Sequence, residues 1–123
     1  MKPLHVSTIE SFSSRFDNFI SSEIRSITIK SPTVIEIRCS VQDTARSYDW
    51  IDINLELSNV TDAKLLGNDK LRYLDMQEGL GILFSGKEVI FSHGICESKE
   101  SACESTFYIV SESIKYEELP FSG

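Results

Sequence analysis

His93, Cys96 and Cys103 lie close together in one polar stretch, and an imidazole with two thiolates is a donor set that a borderline-soft cation such as Zn²⁺ accepts. The spacing fits such a site poorly. Structural zinc sites pair their ligands closely, as in CxxC or HxxxH, and the fourth ligand here would have to be Cys39 or a glutamate. An exposed loop with incidental thiols accounts for the same residues, so neither a metal nor another cofactor is expected. Taken as nucleophile and base, Cys96 and His93 have no marked third residue to orient the imidazole. The chain has no GxSxG elbow, and His5 and His93 are its only histidines, which leaves little basis for Ser-His-Asp chemistry. Gly79-Leu80-Gly81 enters a hairpin rather than a helix N-terminus, so it does not cradle phosphate. Carboxylate pairs such as Glu117-Glu118, or Asp52 with Glu56, act as acid and base only where an apolar pocket raises one pKa. The pattern implies no enzyme.

Binding is better provided for. Ile51, Ile53, Leu55 and Leu57 alternate with Asp52, Asn54 and Glu56, the signature of a strand with one wet face. By the same alternation Trp50 points with Asp52 and Asn54, away from the core, unless the helix or a loop folds over it. A tryptophan beside carboxylates makes a large contact at low entropy cost. Trp50, Asp52, Asn54 and Glu56 are therefore the candidate partner-binding set. Pairing of Glu36 and Arg38 with the same strand's charges is the structural alternative.

The elements that must hold this face follow from hydrophobic period. Ile9, Phe12, Phe16, Phe19 and Ile20 share one helical face, which predicts an amphipathic helix over 8–20 with Ser7 or Thr8 as N-cap. The period then switches to two. Ile27 and Ile29, a turn at Ser31-Pro32-Thr33, and Ile35, Ile37, Cys39 and Val41 predict a hairpin in which Cys39 is a small buried hydrophobe. A loop over 42–48 leads to the strand at 50–57. Strands are further expected near 60–66 and 71–75. Leu80, Ile82 and Phe84 then turn through Ser85-Gly86-Lys87-Glu88 into Val89, Ile90 and Phe91. A polar loop covers 92–105, and 106–110 with 113–116 form one long or bent strand that Pro120 ends. The expected fold is α+β, a mainly antiparallel sheet of about six to eight strands with one N-terminal amphipathic helix packed on it.

Composition narrows the role. A chain of 123 residues, 41% hydrophobic and 25% charged, fits one globular domain spanning 1–123. Three cysteines cannot complete a disulfide framework, the N-terminal residues lack a signal-like apolar run, and no stretch is long enough to cross a bilayer. A cytoplasmic location is expected. Of the net charge of −7, residues 1–48 carry almost none, with six basic and five acidic side chains. Residues 49–123 hold six and fourteen. Such a surface repels nucleic acid and anionic membranes and favours a basic protein partner; acidity for solubility alone is the plainer explanation.

Phe19-Ile20-Ser21-Ser22-Glu23-Ile24-Arg25-Ser26-Ile27 resembles the N-terminal signature of small bacterial immunity-protein-type domains of polymorphic toxin systems. There a phenylalanine, a His-Asp pair, a small residue, an acid and an aliphatic precede the first strand. Trp50-Ile51-Asp52-Ile53 and the Asn59-Val60 turn are similar to that family's next landmarks. Ile20 and Ser21 stand at the His-Asp positions, so no role of that pair carries over. The resemblance implies a sheet-rich α+β protein that binds a cognate toxin and performs no catalysis. The competing expectation is a small-molecule-binding or enzymatic domain with a pocket between helix and sheet, near Tyr73, Tyr108 and Tyr116.

Overall fold

Strict alternation over 35–41 and 51–57 becomes the longest ladder of the computed structural model, which describes residues 1–122. In chain order the regular elements are β1 (Lys2–Pro3), α1 (Ile9–Arg15), β2 (Glu23–Ser31), β3 (Val34–Asp43), β4 (Asp49–Ser58) and β5 (Asp62–Lys64). There follow β6 (Leu80–Ser85), β7 (Glu88–His93), α2 (Lys99–Cys103), β8 (Tyr108–Ser111) and β9 (Ser113–Pro120). A five-stranded sheet has the order β1-β9-β4-β3-β2 and a four-stranded sheet the order β5-β8-β7-β6. All the ladders between these strands are antiparallel. The expected α+β, mainly antiparallel class is present, but with nine strands in two sheets among the described residues, and with two short helices instead of one long one.

The β3–β4 ladder sets Ile35 against Leu57, Ile37 against Leu55, Cys39 against Ile53 and Val41 against Ile51. All eight are buried. They pack with Leu80, Val89, Phe91 and Ile109 of the second sheet, so one core lies between the sheets. The four-stranded sheet's other side is covered by α2, where Ala102 packs on Ile90 and Val110. Residues 92–105 were expected to be loop throughout. Ser98 instead caps α2, its side chain accepting from the Ser101 amide while the Ser101 hydroxyl accepts from the Ser98 amide, a capping box with serine in place of the usual glutamate.

The helix expected over 8–20 stops at Arg15. Asp17, Asn18 and Phe19 all have positive φ, at 53°, 53° and 62°, a conformation tolerated by Asp and Asn but rarely taken by a bulky residue. Burial offsets the strain. The left-handed turn carries Phe19 fully into the core beside Phe12 and Phe16, with ring centroids 6.1 and 5.8 Å away. Ile20 emerges 36% exposed.

Gly79 locks this turn in place. Its φ of +69° and ψ of −162° belong to a region open essentially to glycine alone, and an added Cβ would sit 2.4 Å from the Asn18 carbonyl oxygen. Gly79→Ala is expected to cost roughly 1–3 kcal/mol from backbone conformation alone, with the clash added. Urea unfolding measures it, and an unchanged midpoint would refute the close approach.

Four further expectations are corrected. Ile29 does not join the core; it is 63% exposed because β2 is an edge strand with no element beyond its hairpin end. A bulge between Ile24 and Ser26 instead puts Ile24 and Ile27 inward. The strand expected over 71–75 is a 3₁₀ turn, Asn68–Tyr73, which buries Leu71. Its Asn68 Oδ1 accepts from the Ile27 amide at 2.9 Å, covering part of an edge that would otherwise offer free backbone groups. The segment 60–66 forms strand only over Asp62–Lys64. The last bent strand is two strands, and the chain passes from one sheet to the other at Glu112.

Candidate functional site

Register fixes what the outer face of the five-stranded sheet displays. On β4, Trp50, Asp52, Asn54 and Glu56 stand opposite Gln42, Ser40, Arg38 and Glu36 of β3. Leu119, Glu117 and Lys115 of β9 flank Asp52, Asn54 and Glu56 on the other side. The four candidate residues therefore share one face, but in different environments.

Trp50 is 39% exposed and its ring lies 5.8 Å from that of Phe121, which is itself 44% exposed. The Arg25 guanidinium sits over Phe121, 5.7 Å from the ring centroid. Neither Phe121 nor Arg25 was among the sequence candidates. Phe121 follows the proline that closes β9, where alternation no longer says which way a side chain points, and Arg25 sits in the β2 bulge.

Asp52, expected on the wet face, is fully buried. It accepts from Ser40 Oγ at 2.7 Å, from Ser122 Oγ at 2.8 Å, and from Arg38 Nε and Nη2 at 3.1 and 2.9 Å. Burial pushes its carboxyl pKa up, but the hydrogen bonds from Ser40, Ser122 and Arg38 outweigh burial and hold it below the ordinary value. Asp52 is thus a support beneath the face and no direct contact for a partner. Ser40 also accepts from Arg25 Nε at 2.7 Å, so the cation over Phe121 is tied to the same buried carboxylate. Asn54 is half-buried, with its Oδ1 lacking any hydrogen-bond partner among the described residues, and Glu56 is half-buried.

The weaker sequence candidates disperse. His93 and Cys96 line one groove of about 560 Å³, whereas Cys103 is not among its lining residues. Cys96 Sγ is near Ser92 Oγ at 3.4 Å and the Gly94 carbonyl at 3.6 Å, not paired with His93. Burial, reinforced by Asp52, pushes the Cys39 thiol up to about 12, which removes it as a thiolate donor at neutral pH. Among the described residues no three His, Cys, Asp or Glu side chains are placed to hold a metal ion. Tyr73 is 74% exposed, Tyr108 donates to Asp62 at 3.0 Å, and Tyr116 packs on Phe12, so the three tyrosines do not converge. Phe12, Phe16 and Phe19 fill the space under α1, leaving at its margin a depression of about 380 Å³ bordered by Leu4, Arg15 and Tyr116.

Among the described residues no helix is long and apolar enough to cross a membrane. No protein family matches the chain, and neither a curated protein nor a solved structure is significantly similar to it.

Proposed function

We propose that the chain is a cytoplasmic, non-catalytic binding protein that engages a basic protein partner through the outer face of its five-stranded sheet. In keeping with the resemblance above, the partner class is a cognate toxin that the chain neutralises. The observation that carries this reading is the exposed Trp50–Phe121 pair. Two aromatic rings on a sheet surface held by a buried hydrogen-bonded network supply rigid contact area, which is what interface hot spots require. Arg25 over Phe121 shows one ring of the pair already holding a guanidinium, and a partner rich in Lys and Arg would extend the same cation–π chemistry to Trp50.

The test is pull-down and surface plasmon resonance with the product of an adjacent gene. Trp50→Ala is expected to weaken binding by about 2 kcal/mol or more, roughly thirtyfold, with little change in thermal melting. Normal binding by the folded variant would remove this face from the interface. Failure to bind or to protect cells expressing that product would remove the toxin reading.

A further inference from the structure

Beyond the last strand the chain lies across the outer face instead of continuing along it. β9 stops at Pro120, opposite Ile51. The Phe121 ring then meets Trp50 on β4 at 5.8 Å and the Arg25 guanidinium on β2 at 5.7 Å, and β3 lies between those two strands. The Ser122 hydroxyl donates to Asp52 Oδ2 at 2.8 Å. Among the described residues, no backbone hydrogen bond ties residues 121–122 to another element. Side chains alone hold them in place.

Such a hold is marginal. One hydrogen bond to a carboxylate, one ring pair and one cation over a ring are together of the same order as the entropy that ordering two residues costs. Phe121 stays exposed, so burial adds little. Release also strands no charge: Asp52 keeps Ser40 Oγ at 2.7 Å and Arg38 Nε and Nη2 at 3.1 and 2.9 Å, and Arg25 keeps its bond to Ser40 at 2.7 Å. The network beneath the face therefore survives while the aromatic pair above it comes apart.

We infer that Phe121 and Ser122 form a strap that assembles the partner-binding face, the Ser122 hydroxyl latching on Asp52 and so holding Phe121 against Trp50. The inference rests on the Trp50-face reading and adds its control: the basic partner binds the strapped state, where the two rings stand together, more tightly than the released one. Ser122 and Asp52 are then positioning residues that act on the partner through Phe121. A ligand shifts a two-state equilibrium only by its differential affinity for the states. Here the differential contact is the Phe121 ring.

Trp50 is the chain's only tryptophan, so the strap can be followed without a partner. Acrylamide quenching of its fluorescence and the ring-current shift of its indole protons are compared in the full chain and in Phe121→Ala, Ser122→Ala and Ser122→Thr. Phe121→Ala defines the released state. Ser122→Ala is expected to lower the ratio of strapped to released chains by about tenfold, the weight of one hydrogen bond to a charged group, and to move both signals toward those of Phe121→Ala. Ser122→Thr keeps the hydroxyl and should restore the parent values, with urea midpoints nearly coincident throughout because the strap lies outside the core. Parent signals in Ser122→Ala, released signals in Ser122→Thr, or a Ser122→Ala midpoint as low as that of a core variant would each overturn the latch. Parent quenching in Phe121→Ala would overturn the strap itself. None of these measurements uses a partner, so their failure leaves Trp50→Ala to decide the binding face, and failure of a partner to bind leaves the strap standing.

Discussion

Leu55→Ala is expected to destabilise the protein by about 2–5 kcal/mol, the range for a large-to-small change in a packed core. Leu55 is fully buried at the middle of β4, between Ile37 on β3 and Tyr116 on β9. Paired on both flanks, that stretch of backbone has little freedom to close the space left by the lost side chain, which favours a residual cavity. Ile29→Ala, at a side chain 63% exposed, should change stability by no more than about 0.5 kcal/mol. Urea unfolding of both variants checks the contrast; a cost below about 1 kcal/mol at Leu55 would mean that the two sheets do not share the core described.

Arg15→Ala is expected to cost about 3 kcal/mol, at the lower end of the range for breaking a buried ion pair, because it strands a buried carboxylate. Arg15 Nε and Nη2 donate to the two oxygens of Asp43 at 2.8 and 2.6 Å, and Nη2 also donates to Glu118 at 2.6 Å. Asp43 has no exposed side-chain surface, and only Arg46, at 3.2 Å, and the Ala45 amide, at 3.0 Å, would remain as its partners. Arg15→Lys should recover part of the loss, since an ammonium cannot reproduce the bidentate fork.

The pH profile distinguishes this ion pair from simple packing. The hydrogen bond from Arg15 holds the Asp43 carboxyl below its ordinary value of 3.8; burial opposes this, and the Ala45 amide and Arg46 add to it. Asp52 is lowered as well. A carboxylate whose pKa is lower folded than unfolded contributes stability above the unfolded value, and that stability is lost as the pH falls below it. The urea midpoint should therefore drop between about pH 5 and pH 2. Arg15→Ala should drop less, because Asp43 would lose the largest of the contacts that hold its carboxyl down and keep only Arg46 and the Ala45 amide. Equal pH dependence in parent and variant would show that Arg15 does not stabilise the ionised carboxylate.

The β3–β4 ladder was legible in the sequence because one face is fully buried, so every second residue is constrained to be apolar and a one-residue slip would expose the set. Gly86 marked the β6–β7 hairpin for an equally local reason: its φ is +61° in a two-residue turn. What stayed hidden depends on residues far apart in the chain. Asp52 looks like any polar residue on an alternating strand; its burial comes from Ser40, Arg38 and the distant Ser122. Nothing around Arg15, Asp43 or Glu118 indicates that they meet. The end of α1 at Arg15 was missed because Phe16 and Phe19 keep helical spacing while the backbone turns left-handed. In the candidate binding set, the shared face of Trp50, Asp52, Asn54 and Glu56 was readable, whereas the pairing of Trp50 with Phe121 was not.

The crossing at Glu112 has a consequence for how the protein is made. β9 pairs with β1 on one flank and β4 on the other, yet it leaves the ribosome after both. Until it emerges, the long edge of β4 has no neighbour and β1 has nothing to pair with. The five-stranded sheet therefore cannot close while the chain is being extended toward residue 113, and the nascent chain must tolerate an open, Ile- and Leu-rich edge, the kind of surface through which partly folded chains aggregate. Completion of this sheet waits on a late, long-range insertion, which favours slow folding. A released chain cut before Glu112 would still hold every strand of the second sheet, whereas its first sheet would lack β9 and with it the only partner of β1.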